Sequence, residues 1–139
     1  MVDECITSFN NLPNFAGIAF KKEIEPDLEF NSAWTLLTAI LQNLLENAIK
    51  YSSKNSPYVI VRVFSSSNHL FIEVVDNGQG ILSEHQPKIF EMFFRATKNA
   101  TGSGLGLYIL KRSVDRLNGT VTLKSEVGVG STFTVRLPL

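Results

Sequence analysis

The sequence has little of what marks several protein classes. Its 139 residues include a single cysteine, Cys5, so no disulfide can form within the chain, and we expect a reducing, cytoplasmic environment. The 13 Lys and Arg residues balance 13 Asp and Glu residues, which argues against a nucleic-acid-binding module. No uninterrupted apolar run exceeds four residues, so we expect neither a membrane span nor a signal-peptide core. A domain that can bury its own core is what remains.

The apolar pattern predicts alternating strands and helices. Period-2 segments predict an entering strand (15–25) and two hairpins (58–77 and 120–139), whereas helical spacing predicts helices at 33–51, 87–94 and 104–117, the first capped by Asn31 or Ser32. This order predicts a two-layer α/β (α+β) sandwich, with a mixed, mostly antiparallel sheet of about five strands and about three helices on one face. Residues 1–12 resemble a helical stub with little to hold it, and we expect them to be the remnant of a preceding helix or linker, before a domain of 13–139.

The long predicted helix carries Asn43 and Asn47 one turn apart, beside its apolar stripe. Leaving a buried amide unsatisfied costs about 1 to 3 kcal/mol, so both side chains need partners. The partners are either each other and nearby backbone, as in an ordinary rim, or a ligand.

A second polar feature, Asp76-Asn77-Gly78-Gln79-Gly80-Ile81, directly follows the predicted strand FIEVV. A carboxylate at the end of a buried strand can accept a hydrogen bond, and the glycines allow the backbone to pass close to a planar ligand. The alternative is a plain turn, because Asp-Asn-Gly is common turn chemistry.

A third feature, GSGLGL (102–107), leads into a predicted helix. Backbone N–H groups at a glycine-rich helix N-terminus favour a phosphate. The G-x-G-x-G spacing excludes the dinucleotide fingerprint, and the lack of a following GKS or GKT excludes a P-loop. Upstream, the phenylalanines of IFEMFFRAT (89–97) have the spacing of core residues, while Arg95 is a candidate to contact a terminal phosphate.

Taken in order, these blocks resemble the ATP-binding domain of sensor histidine kinases, within the gyrase, histidine kinase and MutL ATPase superfamily. NLLENAIKYS (43–52) is similar to the N box of that family, DNGQGI (76–81) to its first glycine box, IFEMFFRAT (89–97) to its F box and GSGLGL (102–107) to its second glycine box. The resemblance covers about residues 15–139 and implies a Bergerat-type ATP-binding fold.

At the phosphate end, the resemblance implies that Asn47, with Asn43 beside it, holds Mg²⁺ and that Lys50 contacts phosphate. The loop 97–101 would close over the nucleotide, with Arg95 at its base. The complete ATP site implied by the resemblance consists of Asn43, Asn47, Lys50, Tyr51, Asp76, Gly78, Gly80, Ile81, Arg95, Gly102, Ser103, Gly104, Leu105, Gly106, Leu107 and Thr132.

At the base end, the resemblance implies that Asp76 accepts a hydrogen bond from the exocyclic amine of adenine. Thr132 would help to hold a water molecule there, and Tyr51 would lie against the ring.

The resemblance further implies transfer of the γ-phosphoryl group of Mg-ATP to a histidine on a separate dimerisation domain of the same parent protein, with a response-regulator receiver domain downstream. The family's acceptor is a histidine followed by an acidic residue, which fits neither His69, predicted at a strand edge, nor His85, predicted in a solvated loop. We therefore expect this chain to be inactive alone, to be a monomer when isolated and to bind no nucleic acid. We expect its parent protein to be a homodimer, and the sequence leaves open whether that parent is membrane-anchored.

Three other readings stay open at this point. An anti-sigma-type serine kinase has the same ATP boxes, and a non-catalytic nucleotide sensor or pseudokinase retains them as well. An ATP-driven clamp of the gyrase or MutL group would need a catalytic glutamate where Asn43 stands, which disfavours hydrolysis.

Overall fold

A computed structural model of the chain describes residues 2–28, 34–53, 55–92, 94 and 105–139. Strands and helices alternate much as predicted. In chain order the elements are α1 (Val2–Thr7), a 3₁₀ turn (Phe15–Gly17), β1 (Ala19–Ile24), α2 (Trp34–Lys50), β2 (Tyr58–Ser66), β3 (His69–Asp76), a second 3₁₀ turn (Gln86–Lys88), α3 (Gly106–Arg116), β4 (Thr120–Glu126) and β5 (Gly130–Pro138).

The five strands form one mixed sheet in the order β1-β2-β3-β5-β4. β1 runs parallel to β2, and every other neighbouring pair is antiparallel. Alternate residues of the central strands point into one core shared with the helices, and this inner face consists of Val59, Val61, Leu70, Ile72, Val74, Phe133, Val135 and Leu137. The predicted two-layer α/β sandwich is confirmed.

Helix α2 forms the centre of the helical layer because its apolar residues recur at helical spacing. Its buried stripe consists of Leu37, Ile40, Leu41, Leu44, Leu45, Ala48 and Ile49. The predicted caps Asn31 and Ser32 lie outside the described residues. No helix within the described ranges, α2 included, is long and apolar enough to cross a membrane.

The N-terminal helix is held more firmly than the sequence suggested. Val2, Cys5 and Ile6 of α1 are buried in the same core as α2, and Cys5 is only 3% exposed. Burial also raises the pKa of the Cys5 thiol. The expectation that little holds this segment is wrong, because its apolar face completes the core. Its origin as the remnant of a preceding helix stays a prediction.

The helix predicted over 87–94 is the clearest error in secondary structure. The chain here forms successive turns in which the N–H groups of His85, Lys88, Glu91 and Phe94 each bond to the carbonyl three residues earlier. Such turns repeat every three residues and mimic helical spacing in sequence, which explains the wrong prediction. The core-packing interpretation holds for Phe90, whose ring meets that of Phe133 edge-on at 6.3 Å.

Candidate functional site

A cleft of about 320 Å³ lies where α2, the end of β3 and the β4–β5 hairpin meet. It brings together residues from all of the conspicuous sequence blocks. Its wall consists of Asn47, Tyr51, Asp76, Gln79, Gly80, Ile81, Leu82, His85, Ile89, Phe94, Leu107, Val127 and Ser131. The wall combines apolar side chains with a few polar ones, which is typical of a site for a small organic ligand.

Asp76 is the most unusual residue of the cleft. It ends β3 on the buried face and is only 8% exposed. Burial raises the pKa of this carboxyl to about 6, although the backbone N–H groups of Gly78 and Ser131 both donate to it and partly offset the rise. The Gly78 bond measures 2.9 Å from N to Oδ1. A fixed, largely desolvated acceptor that lines a cleft is suited to a ligand's N–H group.

The loop after Asp76 packs tightly against protein backbone. A Cβ on Gly78 would lie 2.2 Å from the Tyr51 carbonyl oxygen, and a Cβ on Gly80, which has φ +75°, would lie 2.1 Å from the Glu126 carbonyl oxygen. The Gln79 N–H donates to the Tyr51 carbonyl at 3.1 Å, which ties the loop to the end of α2. These glycines therefore serve a close approach within the protein, a requirement that the sequence did not reveal.

The asparagine pair of α2 lies near the start of α3. The Asn43 side-chain N–H donates to the Ala39 carbonyl at 2.7 Å, and its Oδ1 would be 3.3 Å from a Cβ on Gly106. Asn47 lines the cleft one turn further along. The Asn43 amide thus lies beside the first residue of α3, one turn of α2 away from the cleft residue Asn47.

The structure describes only some of the other residues that were predicted to lie at the phosphate end. Lys50 Nζ lies 2.7 Å from Glu46 Oε1, so its ammonium group is paired within α2. Leu105 directly precedes α3, and Leu107 lines the cleft. The remaining predictions, namely Arg95, Gly102, Ser103, Gly104 and the loop 97–101, lie outside the described residues.

The prediction that Thr132 lies beside Asp76 is corrected by the strand register. Asp76 pairs with Ser131, whereas Thr132 pairs with Val75. Because side chains alternate between faces, the Thr132 hydroxyl points to the opposite face of the sheet from Asp76. Ser131, 7% exposed, supplies the hydroxyl in the cleft wall. The signal was present in STFTVRLPL, since Ser131 is in phase with the apolar Phe133 and Val135.

His85 also differs from its prediction as a solvated loop residue. It lines the cleft, its ring meets that of Phe94 edge-on at 5.7 Å, and its Nε2 is 3.7 Å from Glu84 Oε1. The polar neighbours in sequence concealed this position, which arises only because the turn at 82–85 folds the ring towards the cleft.

The available donors suit a hard metal ion that is shared with a ligand. Among the described residues, no group of three or more His, Cys, Asp or Glu side chains could hold a metal ion. The amide oxygens of Asn43 and Asn47 are uncharged oxygen donors, and Mg²⁺ prefers oxygen ligands while keeping much of its coordination shell for water and phosphate. The residues present therefore fit Mg²⁺ bound jointly with a phosphate group.

Comparison with known proteins shows similarity to sensor histidine kinases. SenX3, a sensor-like histidine kinase of Mycobacterium tuberculosis, is 39% identical over 142 residues, covering 99% of this chain and 34% of SenX3. The sensor histidine kinase GraS of Staphylococcus haemolyticus is 32% identical over 125 residues, covering 88% of this chain and 36% of GraS. The chain thus spans about a third of the length of these relatives.

Solved structures show the same fold over nearly the whole chain. The mycobacterial sensor histidine kinase MprB superposes with a TM-score of 0.85 at 26% identity, covering 99% of this chain and 92% of that one. The catalytic domain of the histidine kinase ThkA gives 0.83 at 26% identity, covering 99% and 90%. The family model for histidine kinase-, DNA gyrase B- and HSP90-like ATPases matches residues 34–139. The chain therefore belongs to the family of histidine kinase-, DNA gyrase B- and HSP90-like ATPases.

Proposed function

We propose that this chain binds Mg-ATP in the cleft and donates the γ-phosphoryl group to a histidine on a separate dimerisation domain of its parent protein. The observation that carries the proposal is the buried Asp76 carboxylate, which is fixed by two backbone N–H groups in a cleft that also contains Asn47. Phosphoryl transfer requires mainly positioning and charge neutralisation, which an ATP-binding domain can supply without a nucleophile of its own.

At the base end, Asp76 would accept a hydrogen bond from the exocyclic amine of adenine. The Ser131 hydroxyl, and not that of Thr132, would help to hold a water molecule there, because Ser131 is the cross-strand partner of Asp76 on the same face. Tyr51, Ile81 and Leu107 would contact the nucleotide from the cleft wall.

At the phosphate end, Asn47 and Asn43 would hold Mg²⁺, which when bound neutralises charge on the phosphate oxygens. Lys50 would have to exchange its partner Glu46 for phosphate, a small cost because the pair is partly exposed. Arg95 and the glycine segment 102–104 stay predictions for the same region.

The proposed setting follows from the relatives, which are about three times longer than this chain and are named as sensor histidine kinases. We propose a homodimeric parent in which this domain faces the cytoplasm, acts on the dimerisation domain and supplies phosphate to a receiver domain. The two alternatives, a serine kinase and a non-catalytic nucleotide sensor, are not favoured, because these relatives are named as histidine kinases.

A phosphotransfer assay tests this function. Mixing the chain with the dimerisation domain of its parent and radiolabelled ATP should give acid-labile phosphohistidine on that domain, and the chain alone should remain unlabelled because the acceptor is absent. Replacing the acceptor histidine with Gln should abolish labelling. Acid-stable phosphoserine would contradict the histidine assignment, and ATP binding without any transfer would favour a sensor.

A neighbouring pair of hydroxyls tests the corrected register. Ser131→Ala should weaken ATP binding about 3- to 10-fold, the effect of losing one uncharged hydrogen bond, as measured by calorimetry. Thr132→Ala should leave the affinity unchanged, since its hydroxyl lies on the other face of the sheet. A larger loss of ATP affinity in Thr132→Ala than in Ser131→Ala would instead favour Thr132 as the site residue.

A further inference from the structure

A second serine, outside the cleft wall, contacts the hydroxyl of Ser131. Ser125 lies on β4 directly across from Ser131 on β5, with 2.8 Å between the two Oγ atoms. The Ile81 N–H donates to Ser125 Oγ at 2.8 Å, and the Gly130 carbonyl oxygen is 3.1 Å away from the same atom. Ser125 thus joins the first glycine box to the strand that forms the base end of the cleft.

The hydroxyl protons of this pair can be arranged in two ways. Ser125 Oγ already accepts from the Ile81 N–H and has one proton to donate, either to Ser131 Oγ or to the Gly130 carbonyl. If it donates to Ser131, the proton of Ser131 is available to the cleft. If it donates to Gly130, Ser131 donates back to Ser125 and offers the cleft only an acceptor.

The ligand proposed above distinguishes these arrangements. The edge of adenine carries an amine donor next to a ring nitrogen, N1, that accepts. Asp76, when ionised, can only accept and suits the amine, so the adjacent N1 needs a donor. The first arrangement supplies one as the end of a chain of donors that runs from the Ile81 N–H through Ser125 to Ser131, and donors in such a chain strengthen one another.

We propose that Ser125 is a positioning residue for base recognition, which directs the Ser131 proton into the cleft and thereby makes the wall read adenine N1, directly or through one water molecule. This inference rests on the proposed binding of ATP. It adds a residue that touches no ligand and acts through another side chain.

The same contact has a purely structural component, which must be separated from this role. Gln86 Nε2 donates to the Ile81 carbonyl at 2.9 Å and lies 3.3 Å from the Ser125 carbonyl. Gln86 therefore holds the same two backbone segments together without touching either hydroxyl, which makes it the matched control.

The experiment compares the binding of ATP with that of 1-deaza-ATP, which lacks the N1 acceptor but keeps the amine. The wild-type chain should bind ATP about 3- to 10-fold more tightly, the effect of one hydrogen bond. Ser125→Thr keeps the hydroxyl and should keep this preference. Ser125→Val has the same shape as the Thr variant without the hydroxyl, and should bind both nucleotides within about 2-fold of each other.

The controls make each outcome decisive. Gln86→Ala should weaken the binding of both nucleotides by the same factor and leave the preference intact. If Ser125→Val does not fold, Ser125→Ala replaces it in the same comparison. Three results would overturn the inference. They are equal binding of ATP and 1-deaza-ATP by wild type, a preference for ATP that persists without the Ser125 hydroxyl, and loss of that preference in Gln86→Ala. Failure of wild type to bind ATP at all would instead contradict the proposed function.

Discussion

Replacing Asp76 with Asn is expected to weaken ATP binding by about 1.5 to 3 kcal/mol, or about 10- to 150-fold, which is the usual contribution of a hydrogen bond to a charged group. The side-chain oxygen of Asn can still accept from the Gly78 N–H, so the loop should keep its shape, while the negative charge facing the adenine amine is lost. Titration calorimetry with ATP measures the effect. Unchanged affinity would contradict the role of Asp76 in binding the base.

A carboxylate on the same strand provides the control for this variant. Glu73 lies three residues earlier on β3, on the outer face of the sheet, where it contacts Thr134 at 3.2 Å. Glu73→Gln removes the same charge from the same strand and should leave ATP affinity unchanged. A comparable loss in both variants would indicate a general electrostatic effect of the domain.

The same Asp76 variant should be more stable than wild type without nucleotide. The pKa of Asp76 is about 6 in the fold against 3.8 for an ordinary Asp, so the folded state binds the proton more tightly than the unfolded state. Proton binding therefore stabilises the fold at low pH, and this stabilisation is lost as pH rises through about 6. At pH 7 the buried charge therefore destabilises the fold by at most about 3 kcal/mol. Asp76→Asn removes that cost.

Thermal unfolding at two pH values measures this effect. The Tm of Asp76→Asn should exceed that of wild type at pH 7, and the difference should shrink towards pH 4, where the wild-type carboxyl is largely protonated in the folded state and no longer buries a charge. A lower Tm for the variant at pH 7 would mean that the carboxylate is stabilising where it lies. A gain in stability with a loss of binding is typical of a residue kept for function.

Replacing Gly80 with Ala is expected to have the second large effect. The left-handed backbone at φ +75° costs a residue with a Cβ about 1 to 2 kcal/mol, and the clash at 2.1 Å with the Glu126 carbonyl adds to this. We expect the Tm to fall by roughly 5 °C or more. ATP affinity should fall as well, because the backbone movement that relieves the clash would separate Ile81 from Ser125.

Gly128 provides a matched control within the adjacent hairpin. Its φ of +82° is nearly the same, but no atom lies within 4 Å of the position that a Cβ would take. Gly128→Ala therefore has the same backbone strain without the clash, and the difference between the variants isolates the close approach. Equal losses of stability would show that the contact between the first glycine box and the hairpin contributes little.

Local patterns predicted the elements whose burial follows a single period. The apolar stripe of α2 and the alternation along β3 and β5 were sufficient for a two-layer sandwich, because each demands one buried face. The same reasoning failed over 87–94, where turns repeat every three residues, and at α1, where burial depends on a distant partner. Asp76 could be recognised as a candidate site residue because a carboxylate at the end of an apolar strand can accept a hydrogen bond from a ligand.

The sequence by itself therefore determined the sandwich, the family and the polar residues available for a site, since these follow from periodicity and from the order of short motifs along the chain. Only the tertiary structure decided which of these residues meet. Strand register selected Ser131 over Thr132, the 82–85 turn brought His85 to the cleft, and the β4–β5 hairpin delivered Ser125 to Ile81. Alternation along β5 indicates the face of Ser131 but not its pairing with Asp76, and the other two contacts join segments that are separate in sequence, so no local pattern specifies them.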